Sequence, residues 1–140
     1  MKFIEKTLSA NDTGETGGHQ AGLLIPRKPE MLNFFPRLDP TVYNPRCVLD
    51  VIDEGGSEWT FNYIYYNSKL FEGTRNEYRI TGMTEFLRQH RLKTGDTVIF
   101  EYSGARTYRI RFRRKDAVQV AATGRKVIHL SGNWTVIDIS

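Results

Sequence analysis

Glu58-Trp59-Thr60-Phe61-Asn62-Tyr63-Ile64-Tyr65-Tyr66 decides the architecture. Trp59, Phe61, Tyr63 and Tyr65 recur at every second position, so an extended chain puts all four on one face. That alternation predicts a half-buried strand. Further along, Thr97-Val98-Ile99-Phe100-Glu101-Tyr102, Ser103-Gly104 and Thr107-Tyr108-Arg109-Ile110-Arg111-Phe112-Arg113 read as a hairpin whose second strand alternates apolar residues with arginine. Val48 to Ile52, Val127 to Leu130 and Trp134 to Ile139 add strands, with Gly55-Gly56 and Gly132-Asn133 as turns. Leu23-Leu24-Ile25 is a short buried strand that Pro26 ends. Two stretches read as helix. Lys28 to Phe35 opens with Pro29 and Glu30 and stops before Pro36. Thr84 to His90 starts at a Thr able to cap and ends in Arg88 and His90, where the helix dipole favours positive charge. Seven or eight short strands with two short helices imply a mostly β, largely antiparallel open barrel, one domain over residues 1–140.

A chain of 140 residues can bury a core without staples, and 39% hydrophobic residues place it among globular proteins. No apolar run is long enough to span a membrane, and Met1 to Lys6 lacks the apolar core of a signal peptide. With the single Cys47, these features imply a reducing cytoplasm. Neither Cys47 nor His19, His90 and His129 has metal-ligand spacing, so no metal site is expected. The net charge of +4 is unevenly spread: from residue 61 onward, fourteen Lys or Arg face seven Asp or Glu. Arg106, Arg109, Arg111, Arg113, Arg114 and Lys115 concentrate that surplus, which favours a polyanionic partner or simply a solvated strand face.

Enzyme motifs are thin. Asp12-Thr13-Gly14 matches the triplet of aspartic proteases, but one copy would need a dimer and Ser9-Ala10-Asn11 replaces the usual apolar strand before it. Gly14 to Gly18 has no Gly-Lys-Ser/Thr after it and is not a phosphate loop. Metal-dependent nucleases usually place an acid two residues before a lysine, and no lysine here has one. The chain is therefore read as a binding domain rather than an enzyme, with no cofactor.

Two polar segments carry binding chemistry instead. Arg75, Glu77 and Arg79 share one face of an extended arm. Arginine can fork onto guanine O6 and N7, and glutamate can accept from the cytosine amino group, which suits adjacent G·C pairs. The plain alternative is a surface cluster in which Glu77 neutralises both arginines. The second segment offers Asn11, Asp12, Thr13, His19 and Gln20, with Gly14, Gly17 and Gly18 allowing close backbone approach. Its plain alternative is a solvated loop.

Leu8-Ser9-Ala10-Asn11-Asp12-Thr13-Gly14, Thr16-Gly17-Gly18-His19-Gln20, Gly22-Leu23 and Ile25-Pro26 closely resemble the first segment of the N-terminal effector-binding domain of EcoRII-type restriction endonucleases. Tyr65-Tyr66-Asn67-Ser68, Phe71, Thr74-Arg75-Asn76-Glu77 and Arg79-Ile80-Thr81 resemble its second. Leu92 to Phe100 also looks like a core strand of plant transcription-factor pseudobarrels. The resemblance implies a DNA-binding pseudobarrel that grips the major groove with an N-arm, residues 9–20, and a C-arm, residues 69–79. It implies the target CCWGG, duplex DNA as partner of a monomeric domain, and a separate Mg²⁺-dependent nuclease part as in type IIE enzymes. A transcription regulator on the same barrel is the alternative. His19, Arg75, Glu77 and Arg79 carry over from the family pattern. With Asn11, Asp12, Thr13, Gln20, Lys69, Thr74, Asn76 and Tyr78 they form the expected DNA-contacting set. The chain departs from the pattern at Gly73 and Tyr78, where the family has lysine, and at Leu24, where it has an aromatic residue. Lys69 and the basic strand ending at Lys115 are candidate phosphate holders, although the strand could equally face away.

Overall fold

A computed structural model describes residues 2–15, 22–104, 107–116 and 125–139. Among them, nine strands form one sheet: β1 (Lys2–Thr7), β2 (Leu23–Ile25), β3 (Arg46–Ile52), β4 (Glu58–Tyr66), β5 (Glu77–Thr81), β6 (Thr97–Tyr102), β7 (Tyr108–Arg113), β8 (Arg125–Leu130) and β9 (Trp134–Ile139). Their order is β2-β5-β4-β3-β7-β6-β1-β9-β8, antiparallel throughout except for the β3–β7 pair. Three helices accompany them: α1 (Ala10–Thr13), α2 (Pro29–Leu32) and α3 (Thr84–Gln89). None is long and apolar enough to cross a membrane.

The sheet curls until its distant parts meet. The Trp134 indole N–H of β9 donates to the Leu24 carbonyl of β2 at 2.8 Å, although six strands separate the two in the sheet order. No backbone ladder joins β2 to β9, so the barrel stays open at this seam. Alternation then does what period two requires, sending Phe61, Tyr63, Ile80, Val98, Phe100, Tyr108 and Ile110 inward. Met31, Phe34 and Phe35, in and just after α2, join this core, as do Phe86 and Leu87 of α3. Each large apolar side chain fully buried here stabilises the fold by roughly 1.5–3 kcal/mol before strain is counted.

Compared with the sequence reading, there are more elements: nine strands rather than seven or eight, and three helices rather than two. β1 escaped because it buries residues on both faces. Ile4 joins the main core, whereas Phe3 forms a separate cluster with Ile99 and Ile137. Its Lys6 looks solvent-bound in sequence yet is only 6% exposed, with its ammonium on the Gly132 carbonyl and 3.3 Å from the Asp12 carboxylate. A buried cation is tolerated only when so compensated. Thr84 does not cap α3; the N-cap position is Met83, which makes no side-chain bond. The Lys28–Phe35 helix shrinks to a single α turn, Pro29–Leu32.

Candidate nucleic-acid interface

The C-arm is the connection from β4 to β5, and local hydrogen bonds close it on itself. Lys69 N donates to the Arg75 carbonyl at 2.9 Å, Arg75 N to Ser68 Oγ at 2.9 Å, and Gly73 N to the Ser68 carbonyl at 2.7 Å. A Cβ on Gly73 would lie 2.6 Å from Ser68 Oγ and 3.0 Å from the Ser68 carbonyl, so this loop cannot hold a side chain there without shifting. The loop as built has no room for the family's lysine at this position. Beneath the loop, Asn67 is fully buried. Its Oδ1 accepts from Asn44 N at 2.7 Å, and its Nδ2 donates to the carbonyls of Val42 at 2.8 Å and Pro40 at 3.2 Å. Tyr65 is also buried. The Tyr65–Ser68 stretch therefore belongs partly to the interior, where both Asn67 amide hydrogens and its amide oxygen are bonded.

Arg75, Glu77 and Arg79 come together as expected, and Glu77 is the hub. Its Oε1 accepts from Arg75 Nε at 3.1 Å, Arg75 Nη2 at 2.5 Å and Arg79 Nε at 3.2 Å; its Oε2 accepts from Arg79 Nη2 at 3.3 Å. Arg79 Nη1 also donates to the Gly22 carbonyl at 3.2 Å, and the Arg75 guanidinium lies 3.8 Å above the Tyr66 ring. Burial pushes the Glu77 carboxyl up, but the bonds from Arg75 and Arg79 outweigh it and hold the group below the ordinary glutamate value. The cluster is both of the arrangements foreseen from sequence: a comb on one face and an internally neutralised network. A guanidinium carries five N–H donors, so the pairing fixes each arginine while leaving donors for a ligand.

Other C-arm residues divide between surface and interior. Lys69 and Thr74 are exposed. Asn76 Oδ1 accepts from the Tyr65 hydroxyl at 2.7 Å. Tyr78 turns to the opposite face of β5, where it packs against the core and stacks on Tyr65 with centroids 4.2 Å apart.

The N-arm begins as a helix rather than a loop. Ser9 Oγ accepts from Asp12 N at 3.2 Å while Asp12 Oδ2 accepts from Ser9 N at 2.9 Å, a capping box that starts α1; Gly14 at φ 80° ends it. Asp12 was expected to meet DNA, or to serve as a protease carboxylate. It is buried, accepts from Ser9 N and lies 3.3 Å from the Lys6 ammonium, while still lining the cleft between the two arms. Thr13 Oγ1 donates to the Ala10 carbonyl at 3.2 Å, and Asn11 is exposed. Glu15 accepts from Thr94 Oγ1 at 2.7 Å and Thr94 N at 2.9 Å, and these bonds lower its carboxyl pKa. His19 and Gln20 lie outside the described residues, as does Arg106.

A cleft of about 540 Å³ separates the two arms, with Lys6 and Asp12 on one wall and Leu24, Asn76 and Glu77 among its other lining residues. The β7 arginines do not line it. Arg113 pairs with Glu5 at 3.2 Å and Arg111 sits 5.4 Å above the Phe3 ring. Sequence reasoning missed Arg27, which does line the cleft. Arg27 gave a faint signal, being a cation just past a strand-ending proline.

The family described as "Restriction endonuclease EcoRII, N-terminal" matches residues 1–108. The chain belongs to this family. Within the EcoRII N-terminal family's reach, the Type II restriction enzyme EcoRII of Escherichia coli is 46% identical over 83 residues, which is 57% of this chain and 20% of that enzyme. The chain thus corresponds to only a fifth of that relative's length. Auxin response factor 5 of Arabidopsis thaliana is 31% identical over 120 residues, covering 86% of this chain and 12% of the factor. Among solved structures, the Arabidopsis FUS3-DNA complex superposes with a TM-score of 0.59 at 21% identity, covering 79% of this chain and 94% of that one. These neighbours give the EcoRII N-terminal fold as the plant-type pseudobarrel, with nine strands among the described residues of this member.

Proposed function

We propose that this domain binds duplex DNA sequence-specifically as the effector module of a larger type IIE restriction endonuclease. The C-arm and N-arm enter the major groove together, and the target is CCWGG. The observation that carries this reading is the Arg75–Glu77–Arg79 comb, whose Glu77 lines the cleft between the arms. Paired on Glu77, the two arginines are ordered before DNA arrives, which lowers the entropic cost of forming contacts. On binding, Arg75 and Arg79 turn free donors to guanine O6 and N7, and Glu77 accepts from a cytosine amino group. Lys69, Thr74 and Asn11 are exposed at the arm surfaces and supply phosphate or base contacts, with His19 and Gln20 completing the N-arm. Tyr78, Asn76 and Asp12 act behind them as supports. Two relatives support duplex DNA as the partner: FUS3, whose solved structure is a complex with DNA, and the restriction enzyme EcoRII.

A gel-shift series without divalent metal tests the proposal, using CCWGG duplexes, single-base variants and a scrambled duplex. The expected result is one retarded complex that each G·C substitution weakens by roughly 1–3 kcal/mol. Equal affinity for the scrambled duplex refutes specificity. The auxin response factor relatives favour a second reading, a transcription regulator on the same barrel; it would bind duplex just as specifically but prefer a sequence other than CCWGG.

A further inference from the structure

Most cations near the arms are already matched inside the protein. Glu77 takes Arg75 and Arg79, Asp12 takes Lys6, Glu5 takes Arg113 and Asp96 takes Arg114. Arg27 and Arg37 differ. Both are exposed, and neither has a carboxylate partner among the described residues. Asp39, two residues after Arg37, is turned to Thr41, whose N and Oγ1 donate to Asp39 Oδ1 at 2.9 and 2.7 Å.

These two arginines line a second groove of about 910 Å³, alongside Phe35, Tyr63 and Tyr78. It lies against the inner face of β4 and β5, since Tyr63 and Tyr78 point there while Glu77 points to the cleft between the arms. Arg27 lines both spaces. It follows Pro26, just past the end of β2, where Ile25 pairs with Tyr78, and it shares the cleft lining with Asn76 and Glu77 of the C-arm. Two guanidiniums without a carboxylate partner on one groove form a site for a divalent or repeating anion, and a guanidinium fork fits phosphate oxygens.

Building on the duplex-binding reading above, we infer that Arg27 and Arg37 form a phosphate track. The sugar-phosphate backbone leaving the cleft between the arms crosses Arg27 and runs along the groove to Arg37. The track gives affinity and reach without reading sequence, because phosphate is the same at every step. Tyr63, fully buried, and Tyr78, half-buried, form its apolar floor, and the Tyr78 ring edge is the part that meets the sugar.

The test compares wild type with Arg27→Gln, Arg37→Gln, the double variant and Arg27→Lys. Each is titrated over a range of salt against a CCWGG duplex with long flanks, the same target without flanks, and a scrambled long duplex. Each Gln substitution is expected to reduce the slope of log K against log salt by about 0.9, the value for one lost phosphate contact. Each weakens specific and scrambled long duplexes by the same several-fold factor, so the preference for CCWGG survives. The double variant binds long and short duplexes equally, whereas Arg27→Lys keeps the wild-type slope. A double variant that retains both the wild-type slope and the wild-type advantage for long duplex overturns the track, and with wild type still choosing CCWGG the duplex-binding reading stands. Wild type that binds no duplex overturns both. All four changes are at exposed positions, and an unchanged melting transition confirms that each variant folds.

Discussion

Two stretches of this barrel carry arginine at alternating positions, and they do different things with it. Along β7, the antiparallel partners of Arg109, Arg111 and Arg113 are Glu101, Ile99 and Thr97. Arg113 is spent on Glu5 and Arg111 lies over Phe3, so two of the three are engaged by the sheet that carries them, while Arg109 is exposed. At the start of β5, Arg75 and Arg79 gather on one carboxylate at the rim of a cleft, on a strand whose outer neighbour β2 is only three residues long. Periodicity sets which face a cation occupies. What lies across from it decides whether the cation is structural or available.

Breaking the β5 cluster should have the largest effect. Arg75→Ala is expected to lower affinity for a CCWGG duplex by about 1–3 kcal/mol while weak binding to scrambled duplex persists. Arg111→Ala should change both affinities equally and by much less. If titrations show Arg111→Ala abolishing the preference and Arg75→Ala sparing it, the contrast between the strands is reversed.

The C-arm's rigidity is a separable contributor. Asn67→Ala would leave Asn44 N and the Pro40 and Val42 carbonyls without partners, at a cost of about 1–3 kcal/mol of fold stability, read as a lower denaturant midpoint. Specific affinity should fall with it, because the loop that presents Arg75 loses its floor. A somewhat smaller loss, about 1 kcal/mol, is expected for Trp134→Phe, which keeps the buried ring but removes the bond to Leu24 across the seam.

The smallest effect is electrostatic. Glu77, Asp53 and Asp96 all titrate below their ordinary values. For Glu77 and Asp96, burial opposes the shift and hydrogen bonds prevail; for Asp53, the bond from the Trp59 indole leads. A carboxyl whose pKa is lower in the folded state stabilises the fold above its unfolded value and loses that contribution as pH falls through the folded value. Thermal midpoints should therefore be level from neutral pH down to about 5 and drop below about 4.5. Glu77→Gln should flatten part of that drop; an identical acid profile would show that the comb contributes nothing to the fold.

Much of the sheet was legible because half-buried strands announce themselves by alternation, as Glu58–Tyr66 and Tyr108–Arg113 do. β1 was not legible, since it has buried residues on both faces and hides a lysine whose partners, Asp12 and Gly132, do not show in its local pattern. The comb could be read because residues two apart share a face wherever a strand forms. The duties of Asp12 and Asn67 could not: a short polar residue has the same local signature whether it reads a ligand or holds a loop. Only the tertiary partners tell them apart.

Dimethyl sulfate reaches guanine N7 in the major groove, the atom assigned to the arginine forks of the C-arm. In the complex of wild type with a CCWGG duplex, the target guanines should be protected from methylation, and Arg75→Ala should restore reactivity at one of them. Guanines that remain fully reactive in a duplex otherwise protected from nuclease digestion would contradict the account.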